Sequence, residues 1–576
     1  MTPVASDSST DVERFVGSRL RTLIACDSST GIERFVGFRL LIPVRILGSA
    51  SLTAVADHPA KRSELLMRYF LGLDIGTSGT KALLIDESCR PVASASREYP
   101  LIIPRPLWAE QNPEDWWDAV VATTRDVLVK AGIDGSSVAG IGLSGQMHGS
   151  VFLDSAGLVL RTAILWCDQR TQAECDWLTE RIGPENLART IGNPVLTGFT
   201  APKIIWLRNH EPDVYARVAR VLLPKDFIRL RLTGAHASEV SDASGTALFD
   251  IARRTWSNEA LDAAEIPRSF MPECAESIEV TGRVNSAAAS ATGLTVGTPV
   301  VGGGGDQAAG AVGSGIVEAG VVSSTVGTSG VVFAFADSPA VDPALRVHTF
   351  CHAVPGKWHT MGVVLSAGGS MRWLRDTLYV PEVEAARTGG PDAYSAIAAE
   401  AATVAPGSEG LIFLPYLTGE RTPYPDPHAR GVFFGLTLRH TRAHMARAVM
   451  EGVAFALNDT FRIFEDLGVE ISQVRASGGG AKSPEWRQIH ADVTGHEHVT
   501  LSIDEGPALG VALLAAVGTG AYATVADACS AAIQTVSSVS PRQEAHQRYR
   551  KVNEVYRSLY PALKEQFAAI YEVDAE

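Results

Sequence analysis

One carboxylate in this chain stands behind a run of glycines. In Val300-Val301-Gly302-Gly303-Gly304-Gly305-Asp306-Gln307-Ala308-Ala309-Gly310, four successive positions before Asp306 carry no side chain, which makes room for a substrate to reach it. An aspartate with an ordinary pKa of about 3.9 is ionised at neutral pH and can accept the proton of a hydroxyl group. A dinucleotide-binding fingerprint is the competing reading, because Gly303-x-Gly305-x-x-Ala308 loosely fits it. It fails on position: Asp306 lies inside the loop, and no strand ending in an acidic residue follows about 20 residues later.

Two short turns carry a second kind of chemistry. Gly76-Thr77-Ser78-Gly79 lies between the apolar runs 69–74 and 81–86, and Gly327-Thr328-Ser329-Gly330 lies between 321–325 and 331–335. Each pattern predicts strand, tight turn, strand. Glycine there permits unusual φ/ψ and close approach of a ligand. Successive backbone N–H groups form an anion-binding nest, with the hydroxyls as extra donors. One such turn is ordinary loop chemistry. Two copies, the first preceded by Asp74, predict two related domains facing each other across a nucleotide.

A third glycine-rich element, Gly478-Gly479-Gly480-Ala481-Lys482-Ser483, comes after a strand-like run. It precedes a predicted helix with Ser483 as N-cap, Pro484 in the first turn, Trp486, Ile489 and Val493 on one face, and a stop at Gly495. Glycines at such a helix start let the backbone lie flat against a ligand. It is not a P-loop, because Ala481 stands where that motif requires glycine.

These elements need a large scaffold. At 576 residues the chain exceeds one ordinary core and predicts two substantial domains. Its 50 Lys+Arg against 64 Asp+Glu leave a formal charge of −14, which argues against a general nucleic-acid or anionic-membrane binder. A phosphate-bearing ligand must then be held by backbone N–H groups and a metal ion. The 7 cysteines show no C-x-x-C pair, as expected in a reducing, cytoplasmic setting without disulfides or structural zinc. No apolar stretch is long enough to span a bilayer. Residues 5–20 recur as 25–40, a period of 20 in two copies, too few units for a solenoid. Residues 1–66 therefore read as an upstream extension, disordered or translated from a start codon placed too early. A docking or regulatory arm is the alternative.

Together these residues resemble the FGGY carbohydrate kinases. The segment Gly198-Phe-Thr200-Ala-Pro-Lys203-Ile-Ile-Trp206 is similar to that family's first signature, and Gly431-Val-Phe-Phe-Gly435-Leu436 with His444-Met-Ala-Arg447-Ala-Val-Met-Glu451 to its second. The resemblance runs from Tyr69 to about Leu563. It implies an α/β fold of two actin-like, ribonuclease-H-like ATPase domains with an interdomain active-site cleft. Residues 67–313 would form the sugar-binding domain, 314–563 the ATP-binding domain and 564–576 a tail. The pair Met147-His148 in Ser144-Gly145-Gln146-Met147-His148-Gly149 is similar to the sugar-contacting pair of the family's D-xylulose kinases. The implied reaction is ATP- and Mg²⁺-dependent phosphorylation of D-xylulose to D-xylulose 5-phosphate, in D-xylose catabolism.

By the same resemblance, Asp306 is the catalytic base and Asp74 organises Mg²⁺. Gly76, Thr77, Ser78, Gly327, Thr328 and Ser329 cradle the phosphates, and Gly479 and Gly480 pack near adenosine. Met147 and His148 contact the sugar, with Gln146, Trp108 and Gln307 as neighbours. Lys203 reads equally as a solvated or a structural lysine. Neither nucleic acid nor membrane is implied as a partner, and a homodimer is compatible with the family. The rivals are a kinase of the same family acting on ribulose, L-xylulose or glycerol, and a non-catalytic sugar sensor.

Overall fold

The structure, a computed structural model, describes residues 67–503 and 505–575. The expectations for the repeated N-terminal segment lie outside these residues. Fourteen strands form the two main sheets. The first sheet is built from β1 (Tyr69–Ile75), β2 (Gly79–Ile85), β3 (Pro91–Glu98), β4 (Val138–Gly145), β5 (Val280–Arg283), β6 (Pro299–Val301) and the short β7 (Gly304–Gly305). Its order is β5-β6-β4-β1-β2-β3, with β7 also pairing β4. The second contains β8 (Gly320–Val326), β9 (Gly330–Ala336), β10 (His348–Cys351), β11 (Trp358–Val364), β12 (Ile471–Ser477), β13 (Glu497–Leu501) and β14 (Thr535–Val539). Its order is β10-β11-β9-β8-β12-β13-β14.

The centres of the two sheets repeat one another. In both β3-β2-β1-β4-β6 and β11-β9-β8-β12-β13, the first two pairings are antiparallel and the next two parallel. This is the arrangement of an actin-like ATPase. Each glycine–threonine–serine turn joins the central strand to its antiparallel neighbour, β1 to β2 and β8 to β9, as the flanking apolar runs predict.

The central strand β1 is apolar from Phe70 to Leu73 because both its faces are covered. Leu71, Leu73 and Ile75 point into a core with Trp116 and Val120 of the helix Pro113–Ala131. Phe70, on the opposite face, packs with Leu509 and Ala512 of the helix Pro507–Gly518. That helix comes from far along the chain yet lies on the first sheet. Gly72 of β1 and Gly142 of β4 let it sit down, since a Cβ on either would collide with the carbonyls of Ala508 and Val511. The exchange runs the other way too. Residues between Phe152 and Met271 share one core with Phe333, Phe335, Phe350 and Met361 of the second sheet. At the carboxyl end one helix, Gln543–Ala575, runs through the boundary expected at 563, and Phe567 beyond it is buried. Residues 564–575 therefore continue the same helix, with Phe567 anchored in the core, and are not a separate tail.

Candidate functional site

Strand register builds the site. Asp74 of β1 pairs with Ser144 of β4, and Gly304 of β7 pairs with the same Ser144. Three parallel strands thus end level, and their carboxyl ends deliver three pieces of chain to one place: the turn 76–79, the segment 146–148, and Asp306. Ligands of open α/β sheets bind at such carboxyl ends.

Asp306 is not inside a loop, as its glycine neighbours suggest, but opens the helix Asp306–Gly313. The glycines serve packing more than substrate access. Gly303 has φ +72° and lies against the Leu143 backbone, while a Cβ on Gly305 would meet Met147 Cγ at 2.8 Å. The run is also held from outside. Arg229, buried in the helix Pro224–Thr233, donates to Val301 O at 2.8 Å and Gly302 O at 2.6 Å. Gly305 N donates to Ser241 Oγ at 3.1 Å, and Ser241 Oγ in turn donates to Glu239 Oε1 at 2.8 Å. Glu239 and Asp242 belong to a buried charge cluster around Lys225, whose Nζ reaches Asp226 Oδ1 at 2.7 Å and Asp242 Oδ2 at 3.2 Å.

The two carboxyl groups at the strand ends titrate unusually. Burial, then the neighbouring Asp74 charge, pushes Asp306 up to about 7. Burial pushes Asp74 up to about 6, with Ser144 and Lys81 opposing. The expectation that Asp306 is an ordinary, fully ionised aspartate is corrected accordingly: desolvation disfavours its charged form. A pKa near the working pH suits a group that must take up a proton during a reaction. Gln307 Nε2 donates to Asp306 Oδ1 at 3.4 Å.

The turn 76–79 is rigidly braced. Gly76 N donates to Gly79 O at 3.1 Å, Tyr99 OH to Gly76 O at 2.5 Å, and Gln111 Nε2 to Thr77 O at 2.7 Å. Gln146 is only 1% exposed, with Nε2 donating to Gln111 Oε1 at 2.9 Å and Oε1 accepting from Thr77 Oγ1 at 3.3 Å. Its amide is therefore occupied by protein, and its expected place beside the sugar is corrected to a strut under the turn. The unusual backbone expected of the turn glycines is corrected as well, since none of Gly76, Gly79, Gly327 and Gly330 has a positive φ. Gly79 is required by close packing instead, because a Cβ there would lie 2.6 Å from Arg97 O.

His148 sits at φ +69°. Its Nδ1 lies 2.6 Å from Gly245 O and its ring stacks on Phe199 at 4.6 Å. A carbonyl can only accept, so Nδ1 carries the proton and Nε2 keeps a lone pair. Burial, then the Lys203 charge, holds the ring neutral, with its pKa lowered to about 3. Met147 is buried between Gly245 and Gly305. Trp108 has the Arg170 guanidinium over its ring at 3.6 Å, and Arg170 is fixed by Asp168 and Glu110, each at 2.7 Å.

The second sheet repeats the construction. Thr325 of β8 pairs with Ser477 of β12, their hydroxyls 2.7 Å apart, so the turn 327–330 and Gly478-Gly479-Gly480 emerge side by side. Ser483 caps the following helix by accepting from Trp486 N, and Gly495 ends it in the left-handed conformation, as expected. Gly327, Thr328, Gly479 and Gly480 line one cavity of about 870 Å³, together with Met371 and Tyr394. That volume accommodates a nucleotide. Beyond Gly479 Cα there is open space, the nearest atom to an added Cβ being Val326 O at 3.9 Å. Gly479→Leu is thus expected to raise KM for ATP at least tenfold while leaving the sugar KM and the Tm nearly unchanged. Steady-state kinetics with each substrate varied in turn checks it.

Two residues carry more than their sequence context suggested. Trp166, 47% exposed, donates from Nε1 to Thr77 Oγ1 at 2.9 Å and so stands at the turn 76–79. Lys81 Nζ pairs with Glu505 Oε2 at 2.6 Å, joining the first turn's hairpin to a distant segment. Lys81 was detectable as the only cation close to either turn in sequence; Trp166 had no signal beyond its place in a family-like stretch.

For a divalent cation the donor set is sparse but suitable. Asp74 Oδ1 is buried and has no hydrogen-bond partner. Among the described residues no group of three or more His, Cys, Asp and Glu is arranged to hold a metal. A lone carboxylate such as Asp74 is within what Mg²⁺ uses, since that ion typically takes one or two carboxylates plus phosphate oxygens and water.

Comparisons with known proteins agree with this geometry. Residues 69–313 match the N-terminal domain, and residues 322–519 the C-terminal domain, of the FGGY family of carbohydrate kinases. The xylulose kinase of Escherichia coli strain K12 is 41% identical over 498 residues, covering 86% of this chain and 99% of that protein. The xylulose kinase of Bacillus subtilis strain 168 is 36% identical over 499 residues, covering 87% and 98%. The crystal structure of a xyloylose kinase from Brucella ovis superposes with a TM-score of 0.80 at 38% identity, covering 87% of this chain and all of that one.

Proposed function

The chain belongs to the FGGY family of carbohydrate kinases, and on that premise we infer that it transfers the terminal phosphoryl group of ATP to D-xylulose, giving D-xylulose 5-phosphate. The carrying observation is the level ending of β1, β4 and β7, which gathers Asp74, Met147-His148 and Asp306 beside the turn 76–79. The choice of substrate rests on the xylulose kinases the chain resembles over nearly their whole length.

In this reading residues 67–313 bind sugar and residues 314–563 bind ATP. His148, through its Nε2 lone pair, accepts a hydrogen bond from a sugar hydroxyl, and Met147 shapes the wall behind it. Gln307 steadies the Asp306 carboxylate. Asp306 takes the proton of the terminal sugar hydroxyl as that oxygen bonds to the γ-phosphorus and the bond to the ADP oxygen breaks. Phosphoryl transfer depends on alignment and charge stabilisation. The backbone N–H groups of Thr77 and Ser78 with the Ser78 hydroxyl on one side, and the backbone N–H groups and hydroxyls of Thr328 and Ser329 on the other, supply the first part, while Gly76 and Gly327 close the two turns. Gly479 and Gly480 seat the adenosine. Mg²⁺ neutralises phosphate charge when bound, and Asp74 would hold it directly or through water. The six described cysteines are all free thiols, which suits a reducing, ATP-rich compartment such as the cytoplasm. We place no helix of the described residues in a membrane, since none is long and apolar enough to cross one.

The deciding experiment is a kinase assay with ATP and Mg²⁺ on D-xylulose, D-ribulose, L-xylulose and glycerol. D-Xylulose is expected to have the highest kcat/KM. A better value for any of the others reassigns the substrate within the family, and no turnover on any leaves the sugar-sensor reading. Light scattering on the same sample reads out whether the enzyme is a homodimer.

A further inference from the structure

His148 occupies a backbone conformation that a residue with a Cβ adopts only when its surroundings impose it. Its carbonyl is the point of attachment. His148 O accepts from Lys203 Nζ at 3.0 Å and from Thr200 Oγ1 at 3.1 Å. Lys203 Nζ also donates to Gly198 O at 2.6 Å. Lys203 is completely buried, and its hydrogen-bond partners are main-chain carbonyls. The helix Thr200–His210 that carries both donors is itself entered through Phe199, the ring on which His148 stacks. The far side of the imidazole is closed by Gly245, where an added Cβ would lie 2.7 Å from Nδ1. Main chain and ring of His148 are therefore gripped by one short segment, residues 198–203, with Gly245 opposite.

We propose that Lys203 is a positioning residue: tethered to the carbonyls of His148 and Gly198, it holds His148 in the left-handed conformation that turns Nε2 toward the sugar. The signature segment 198–203 is then a cradle for the sugar-binding histidine, not a sugar contact of its own. This deepens the reading of His148 given above and rests on it. Lysine suits the task because one ammonium group reaches two carbonyls at once, and burial lowers its pKa to about 7, which marks how fully water is excluded around it. Thr200 provides the second tether.

A double-mutant cycle tests it, with D-xylulose and ATP varied separately. His148→Ala and Lys203→Met are each expected to lower kcat/KM for D-xylulose about tenfold or more, chiefly through KM for the sugar, with KM for ATP unchanged. The double variant should be no worse than His148→Ala alone, within about twofold, because a tether has nothing left to hold. Losses that multiply, or a matching rise in KM for ATP after Lys203→Met, would overturn the proposal while leaving His148 as a sugar contact. An unaltered sugar kcat/KM in His148→Ala overturns that earlier reading and the proposal with it. Should Lys203→Met fail to fold, Thr200→Val decides through the same cycle: it removes one tether and is expected to cost about threefold, again without effect when His148 is alanine.

Discussion

Asp306→Asn is expected to lower kcat by about a thousandfold, with KM for D-xylulose and ATP changed little, since a positioned general base contributes roughly 10²–10⁴-fold. Asparagine matches the carboxylate in shape, keeps the start of the helix Asp306–Gly313, and cannot take a proton. The same substitution should make the protein more stable, and the pH dependence gives the sign. In the folded protein Asp306 holds its proton up to about 7, against the ordinary value of 3.8. A group whose folded pKa is raised favours the folded state while protonated, and that advantage is lost as pH rises through the folded value. Through Asp306 the wild type therefore loses stability between about pH 4 and pH 7, a contribution that the asparagine variant lacks. Thermal melts without ligands should show equal Tm values at pH 4 and a Tm a few degrees higher for the variant at pH 8. A thousandfold loss of turnover with that crossing pattern identifies Asp306 as a buried base. Full turnover, or an equal Tm at both pH values, would remove it from the role.

The second large effect is structural. Gly510→Ala is expected to destabilise the enzyme by about 3 kcal/mol or more, since overpacking typically costs 1–3 kcal/mol and here the obstruction is main chain. A Cβ at position 510 would be driven into the carbonyl of Ala309, three residues into the helix that Asp306 opens. Neither partner can yield as a flexible side chain would. Accommodation must push the helices Asp306–Gly313 and Pro507–Gly518 apart, which displaces Asp306 from the strand ends. We therefore expect kcat to fall in the fraction that remains folded, while Gly468→Ala, at a glycine with open space around it, lowers Tm by strain at positive φ alone and leaves kcat intact. Denaturant melts paired with kinetics separate the two.

Much of this architecture was legible from local signals. The hairpins around residues 76–79 and 327–330 were marked by apolar runs broken by small residues, and the helix after Gly480 by its cap, proline and stop. Asp74 and Asp306 stood out because glycines and hydroxyls surround them. Less accessible were properties created only by long-range packing. The shifted pKa of Asp306 depends on burial and on Asp74, 232 positions away by subtraction of their numbers. The glycines before Asp306 looked like an opening for substrate, yet their absent side chains are needed by Leu143 and Met147 across the sheet. Gln146 sits in a motif with two sugar-facing candidates, and nothing in sequence distinguishes an amide turned inward from one turned outward. The tether from Lys203 to His148 spans 55 positions, which no periodicity reveals.

The helix Pro507–Gly518 also sets an order of events in the making of this protein. A ribosome that has delivered residues 67–313 has released every strand of the first sheet but not the helix that covers one of its faces. Phe70, Leu83 and Ile85 then face water, and the bond from Lys81 to Glu505 closes only after a separation of 424 positions. Pairings of such span are slow to form and leave apolar surface exposed meanwhile. The nascent enzyme must therefore survive most of its synthesis with that sheet half clothed, and chaperone occupancy should fall sharply only once residue 518 has cleared the exit tunnel.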